Sequence, residues 1–450
     1  MTNRSSFFVT LAVAMSGACA VVAGCVASDT AGGGSGGAGT GGATAGGSGG
    51  NGPGPTGSGG TAGGGSGGKS GGGSGGTTGG GSGGKSGGGS GGTTGGGSGG
   101  SPVVGSLPFD NCNWGPPVFT NLDPSQLPPG GLAVENVPQF VSIGFDDNAF
   151  EDGMQWVLDL FKSKQNPAGT GNHCTFDGTP ARVSFYINSH VGITSDALKA
   201  LHARVYTDGH EPANHTDTHA DTLMQNPDVS VWTQEMTTCN DYLVGLGVPR
   251  ARLIGFRTPF LQQSEATYQA IVQENFKYDC SVEHYNDGSG FIWPYTLDNG
   301  KDPKHTYMTP PNGKYPGLWE LPVNQLSLAA TGYQAITGLD YNMWVNAKMT
   351  GDQVLETLKI NLILRMKGGM MPDAAPNRAP MLVGGHSDLY SLLNADANAA
   401  APTPVLERRA AISQFVDWAL AYDPAVRIVP SAEVMHWMQA PVGLDGTKGK

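Results

Sequence analysis

The chain sets carboxylates and imidazoles at spacings that suit metal-activated hydrolysis. Asp146-Asp147 closes an apolar run at 140–145, and His215-Thr216-Asp217-Thr218-His219 holds two imidazoles four residues apart. On a helix that spacing puts both rings on one face, where they can reach one ion. A third ligand has to come from elsewhere, and a carboxylate at a neighbouring strand end is suitable. Two His and one Asp leave coordination positions open for water and substrate. The adjacent carboxylate is then free to act as a base. Position 216 is Thr, so the HExxH signature of metalloproteases is absent. Arg257 and His386 close two further apolar runs, at 252–256 and 380–385. Each residue also has a plain structural reading: Asp146-Asp147 as a helix N-cap, Arg257 in a buried ion pair, His386 as a loop histidine. The coincidence of all of them at strand ends favours chemistry. Two His and one carboxylate also ligate non-haem iron in oxygenases. The second aspartate at 146 favours hydrolysis.

Short apolar runs alternate with helical segments from residue 140 onward. Strand-like runs fall at 140–145, 182–188, 252–256, 278–282, 318–323, 380–385 and 427–430. Helical spacing falls at 150–162, 195–207, 229–246, 264–276, 352–367, 404–421 and 432–438. Ser195 is placed to cap the second helix. This alternation predicts parallel strands with helices outside, in an irregular (β/α)7–8 barrel whose chemistry sits at the C-terminal strand ends. An open doubly wound sheet is the alternative, but no GxGxxG follows a strand, so a dinucleotide fold has no support. The segment 283–317, rich in Pro, Gly and Tyr, reads as a surface elaboration. Its tyrosines, with Trp232, Trp293 and Trp319, either stack on sugar rings or pack the core.

The first hundred residues are of another kind. Residues 31–100 hold 42 of the 73 glycines, no aromatic residue and two charges, Lys69 and Lys85. Residues 67–82 (GGKSGGGSGGTTGGGS) repeat identically at 83–98. No unit has a hydrophobic face, so this stretch is expected to be a disordered spacer. Arg4 and the uncharged stretch 7–22 read as a secretion signal too short to span a membrane. Val22-Ala23-Gly24-Cys25 resembles a bacterial lipobox, with Cys25 lipidated, and Ala18-Cys19-Ala20 is a competing cleavage site. Apart from Cys19 and Cys25, the chain has Cys112, Cys174, Cys239 and Cys280. In an exported domain four cysteines suggest two disulfides, with three connectivities open. Cys239 also lies in register with Trp232, Met236, Leu243 and Leu246 on one helix face, where a buried free thiol is the alternative. Setting aside Arg4, Lys69, Lys85 and Asp29 leaves 22 basic and 36 acidic residues from 102 onward. Nucleic-acid binding is not expected from such a surface.

The order of FDD (145–147), NHTDTH (214–219), RTPF (257–260) and a late strand-end His386 resembles the polysaccharide deacetylases, the NodB-homology or family 4 carbohydrate esterases. SFYINS (184–189), GHE (209–211), YDCS (278–281), WPYTLD (293–298), GLWELPVN (317–324), NRAP (377–380) and HWMQAP (436–441) extend the likeness toward the chitin deacetylase-like branch, over about 138–442. The resemblance implies the NodB-type barrel and a divalent metal, usually Zn2+, with Co2+ or another divalent ion as alternatives. It implies Asp147, His215 and His219 as ligands, Asp146 as base, and Arg257 as the residue holding that base. It also implies the Phe260 backbone N–H as oxyanion donor and His386 as general acid. The family's aspartate and tryptophan that tune this histidine have their nearest counterpart in Trp319-Glu320.

The domain layout expected is a lipoprotein signal over 1–24, a lipidated N-terminus and linker over 25–101, and an extension over 102–137. The deacetylase domain follows over 138–442, with a tail over 443–450. Such a protein would be exported and monomeric, touch the membrane only through its lipid, and remove N-acetyl groups from a chitin-like polymer or from peptidoglycan. A carbohydrate-binding relative with weak turnover, or an acetyl-ester hydrolase, is the alternative.

Overall fold

A computed structural model describes residue 112 and residues 116–450, except 194, 224–225, 286–289, 305–312, 329–334 and 369–374. The signal segment, Cys25 and the Gly/Ser-rich linker lie outside the described residues. Among those described, the strands are β1 (Gln139–Asp146), β2 (Ser184–Ile187), β3 (Glu211–Asn214), β4 (Gly255–Phe256), β5 (Tyr278–Asp279), β6 (Glu283–His284), β7 (Tyr295–Thr296), β8 (Trp319–Glu320), β9 (Val323–Ser327), β10 (Ala335–Thr337), β11 (Met381–His386) and β12 (Val426–Ile428). The helices are α1 (Glu151–Phe161), α2 (Ser189–Ile193), α3 (Asp196–Thr207), α4 (Val229–Gly245), α5 (Glu265–Gln273), α6 (Gly351–Lys367), α7 (Ala395–Ala400), α8 (Val405–Tyr422) and α9 (Ser431–Gln439).

The main sheet runs β11-β1-β2-β3-β4-β5-β8-β7, with β12 also on β1. Its pairs are parallel except β7 with β8. β1 (QFVSIGFD) is buried along its whole length, as expected of a parallel strand covered on both faces. This is the mixed α/β architecture expected of the NodB type, a curled sheet rather than a regular barrel. The outer edge of β11 meets the 320s and 330s through single contacts. The Leu382 N–H donates to Asn324 Oδ1 at 2.8 Å, and the Gly384 N–H donates to the Gly338 carbonyl at 2.7 Å. A side-chain amide thus stands in for ladder bonds at that seam.

The helices begin where short polar side chains precede apolar runs. Ser195 accepts from the Leu198 N–H, and Ser264/Thr267 and Thr350/Gln353 form capping boxes. The strand expected at 252–256 shortens to β4, because Arg250–Arg252 turn as a 3-10 segment. The segment 283–317 is more than a surface elaboration. Phe291, Trp293, Tyr295 and Leu297 are buried, and β7 pairs with β8. Its aromatic side chains carry enough apolar area to pull it into the core. Trp232, Trp293 and Trp319 are all buried and so are unavailable as sugar platforms.

The cysteines form one disulfide, Cys112–Cys174, and the second expected bridge is not made. Cys239 and Cys280 are free and buried in separate core clusters. Each thiol has its own partner: Cys239 donates to the Ile187 carbonyl at 3.1 Å, and Cys280 accepts from Arg257 at 3.1 Å.

Candidate metal centre and active site

The ends of β1, β3, β4 and β11 bring the expected residues to one place. Asp147 follows β1 in a left-handed conformation (φ 64°), as does Asn148 (φ 66°). The two histidines do not lie on a helix, contrary to the helical reading of their spacing. Residues 215–219 form a turn after β3 in which Thr216 (φ 70°) and His219 (φ 52°) are left-handed. Thr216 N–H donates to Asn214 Oδ1, and His219 N–H to Thr216 Oγ1. Side-chain acceptors capture the backbone before it can start a helix. Left-handed non-glycine residues cost energy and gather where function holds them. Six of the ten such positions described fall on the segments 147–148, 216–219 and 260–261.

Asp147 Oδ1 lies 3.6 Å from His215 Nε2 and 3.5 Å from His219 Nε2. One ligand atom from each of the three lies within 4.8 Å of the others. His215 Nδ1 is 2.8 Å from the Arg257 carbonyl, which can only accept, so Nδ1 carries the proton. Burial pulls the His215 imidazolium down to about 4, so the ring is neutral near pH 7 and Nε2 presents a lone pair to the carboxylate. Two lone pairs directed at one another in a buried site repel unless a cation lies between them. Burial resists ionisation of Asp147, yet the neighbouring His219 and His386 imidazoles and the Asn188 amide hold its carboxyl below the ordinary range. The donor set therefore fits a divalent ion, and the Arg257 carbonyl behind His215 fixes the tautomer that a metal-bound imidazole requires.

The Asp146 carboxylate is held by Arg257. Arg257 Nη1 donates to Asp146 Oδ1 at 2.6 Å, Nε to the Cys280 carbonyl at 2.8 Å, and Nη2 to Cys280 Sγ at 3.1 Å. The guanidinium also lies 4.0 Å from the centre of the Tyr186 ring. Burial alone would weaken its charge; Asp146 reverses that and holds it firmly protonated. Room for it comes from two glycines paired in register, Gly144 and Gly384. A Cβ on Gly144 would sit 2.5 Å from Tyr186 Cε2 and 3.0 Å from Arg257 Nη1.

His386 is the register partner of Asp146 across β1 and β11. Its tuning carboxylate is Asp340, not Trp319-Glu320. Asp340 Oδ1 lies 2.7 Å from His386 Nδ1, and Oδ2 accepts the His386 N–H at 2.9 Å. Burial opposes charge on His386, but Asp340, with Asp147 and Asp146 beyond it, pushes the imidazolium up to about 10. Glu320 instead neighbours Asp279 at the ends of β8 and β5; burial and that like charge push its carboxyl well up. Asp340 was illegible in the sequence because no motif surrounds it. Phe260 is left-handed (φ 56°), and its ring packs 4.5 Å from the His219 ring.

A half-buried His-His-Asp cluster at the C-terminal strand ends of a curled α/β sheet, with an arginine-clamped aspartate next in sequence, makes a candidate metal centre of the kind hydrolases use. Over 325 residues the chain is 26% identical to chitin deacetylase 8 of Bombyx mori, covering 70% of this chain and 74% of that protein. It is also 27% identical over 172 residues to chitin deacetylase 1 of Bombyx mori, covering 37% of this chain and 29% of that protein. No family model matches the chain. Among solved structures, one assigned as a polysaccharide deacetylase from Mycobacterium smegmatis superposes with a TM-score of 0.44 at 16% identity, covering 70% of this chain and 94% of that one. A family 4 carbohydrate esterase from Streptomyces lividans gives 0.34 at 10%, covering 64% and 91%. The chain is similar to chitin deacetylases, and this likeness supports a hydrolase of the polysaccharide deacetylase class.

Proposed function

We propose that the protein is a divalent-metal-dependent deacetylase that removes N-acetyl groups from an extracellular glycan, with acetate as product. The observation that carries this reading is the set of opposed ligand atoms of Asp147, His215 and His219, with the arginine-held Asp146 next in the chain. Asp147, His215 and His219 would hold the ion, with Zn2+ favoured by its nitrogen-rich ligands and Co2+ as a substitute. A bound divalent ion lowers the pKa of water and polarises the acetyl carbonyl.

The chain's own residues supply the rest. Asp146 takes the water proton, and Arg257 keeps its carboxylate aimed. The Phe260 N–H donates to the oxygen that gains charge at the acetyl carbon, a contact type worth about 3–4 kcal/mol. An N-acetyl amide has a poor leaving group. His386, kept protonated by Asp340, gives its proton to the departing sugar nitrogen.

The glycan is chitin-like in this reading, following the names of the silkworm relatives, with peptidoglycan as the alternative. Export is supported by the Cys112–Cys174 bridge, which requires an oxidising compartment. A lipid at Cys25 and a monomeric state complete the proposal; loss of acyl labelling in Cys25→Ser tests the first, and light scattering the second. Acetate release from N-acetylchitooligosaccharides, peptidoglycan and acetylated xylan, run in parallel, tests the substrate. Release from an N-acetylated polymer supports the proposal, whereas release from xylan alone would move the activity to acetyl esters. A metal-loaded protein that binds these glycans and releases no acetate would be the binding relative.

A further inference from the structure

One helix reaches the back of every ligand of the candidate metal centre. Glu235 on α4 accepts the Asp217 and Thr218 N–H groups at 3.0 and 2.8 Å and the Thr218 hydroxyl at 2.9 Å. It thereby holds the turn that joins His215 to His219. One turn further on, the Cys239 thiol and the His215 N–H both donate to the Ile187 carbonyl, at 3.1 and 3.0 Å. The next residue, Asn188, donates to Asp147 Oδ1 at 3.2 Å. Asn240 Oδ1 and the Met236 carbonyl accept from Asn214 Nδ2, whose Oδ1 fixes Thr216. Two turns beyond Glu235, Tyr242 lies 2.8 Å from His202 Nδ1, and His202 Nε2 lies 3.0 Å from the Asn148 carbonyl. That carbonyl can only accept, so Nε2 carries the proton and the tyrosine hydroxyl donates to Nδ1. The chain Tyr242–His202–Asn148 therefore grips the left-handed turn that aims Asp147.

Resting on the metal-dependent reading above, we propose that α4 is the positioning element of the metal centre, and that Glu235 and Tyr242 set its cation affinity through the turns at 215–219 and 147–148. Neither residue is among the ligands. Outer partners of metal ligands typically govern affinity by about 10–100-fold. The spacing 235, 239, 242 keeps all three contacts on one helix face. The core stripe Trp232, Met236, Leu243 anchors the helix alongside.

The test is Zn2+ affinity of the full chain, measured by competition with a chromophoric chelator and paired with thermal unfolding of the metal-free protein. The variants are Glu235→Ala, Glu235→Gln, Tyr242→Phe and, as control, the exposed Gln234→Ala on the same helix. Glu235→Ala and Tyr242→Phe should each weaken Zn2+ binding by about tenfold or more. Glu235→Gln, whose amide oxygen still accepts the two N–H groups, should keep most of the affinity, and Gln234→Ala all of it. A lowered unfolding temperature in Glu235→Ala and Tyr242→Phe with unchanged Zn2+ affinity would overturn the inference and leave the metal centre standing. A wild-type chain that binds no Zn2+ or Co2+ would overturn the metal-dependent reading and this inference with it.

Discussion

Arg257 Nη1 and Asp146 Oδ1 meet at 2.6 Å across 111 residues of sequence, both side chains almost fully buried. A buried carboxylate loses its hydration and needs an opposite charge beside it. The guanidinium supplies that charge and leaves Oδ2 unclaimed by Arg257. Removing one partner of a buried pair costs about 3–5 kcal/mol. Arg257→Ala should therefore lose stability on that scale in urea unfolding and lose nearly all turnover. Arg257→Lys keeps the charge but cannot bond Asp146 and both Cys280 acceptors together, so it should recover stability more than kcat.

Gly144 makes that contact possible. Gly144→Ala puts a methyl into Tyr186 and Arg257 at the centre of β1, where the backbone is fixed by β11 and β2. Overpacking of this kind costs about 1–3 kcal/mol. The variant should fold, with a lowered denaturation midpoint and a fall in kcat larger than its change in KM.

The His386–Asp340 pair sets a pH dependence. The fold raises the His386 imidazolium to about 10, above its ordinary 6.5, so it favours the protonated form. The resulting stabilisation is complete below about 6.5 and is lost as pH rises through about 10. Asp147 and Asp146 share in that push, so a cation on Asp147 lowers it. Activity should fall on the alkaline side as His386 loses its proton. In Asp340→Asn that limb should move down by about 1–3 pH units, read from kcat/KM against pH. An unmoved limb would remove His386 from the proton-donor role.

The free thiols should be inert in the folded protein. Burial pushes Cys239 up to about 12 and Cys280 up to about 11, and neither presents a thiolate at neutral pH. Alkylation followed by peptide mapping should label both only after unfolding, and should recover Cys112 and Cys174 as one linked peptide. Labelling of either thiol in the native state would contradict the burial described.

Much of this was legible in the sequence, and the exceptions have physical reasons. The strand ends at Asp146, Arg257 and His386 could be read because each closes an apolar run. The strand 252–256 was overextended because a hydrophobic run does not reveal that Arg250–Arg252 turn as a 3-10 segment. The convergence of His215 and His219 was anticipated through the wrong geometry. A four-residue spacing suits a helix, and the asparagine and threonine that divert the backbone carry no distinct pattern. Asp340, Glu235 and His202 stood outside every motif, because each acts through a backbone group or another side chain rather than through spacing. The second disulfide was expected from a count of cysteines, which says nothing of which core cluster each one enters.

The most direct test of the account is acetate release from an N-acetylchitooligosaccharide by the full chain, before and after chelation, with Zn2+ or Co2+ restored and Asp146→Asn alongside. Acetate should disappear on chelation, return with either ion, and be absent from the metal-loaded variant. Acetate release that survives chelation, or that Asp146→Asn sustains at the wild-type rate, would contradict it.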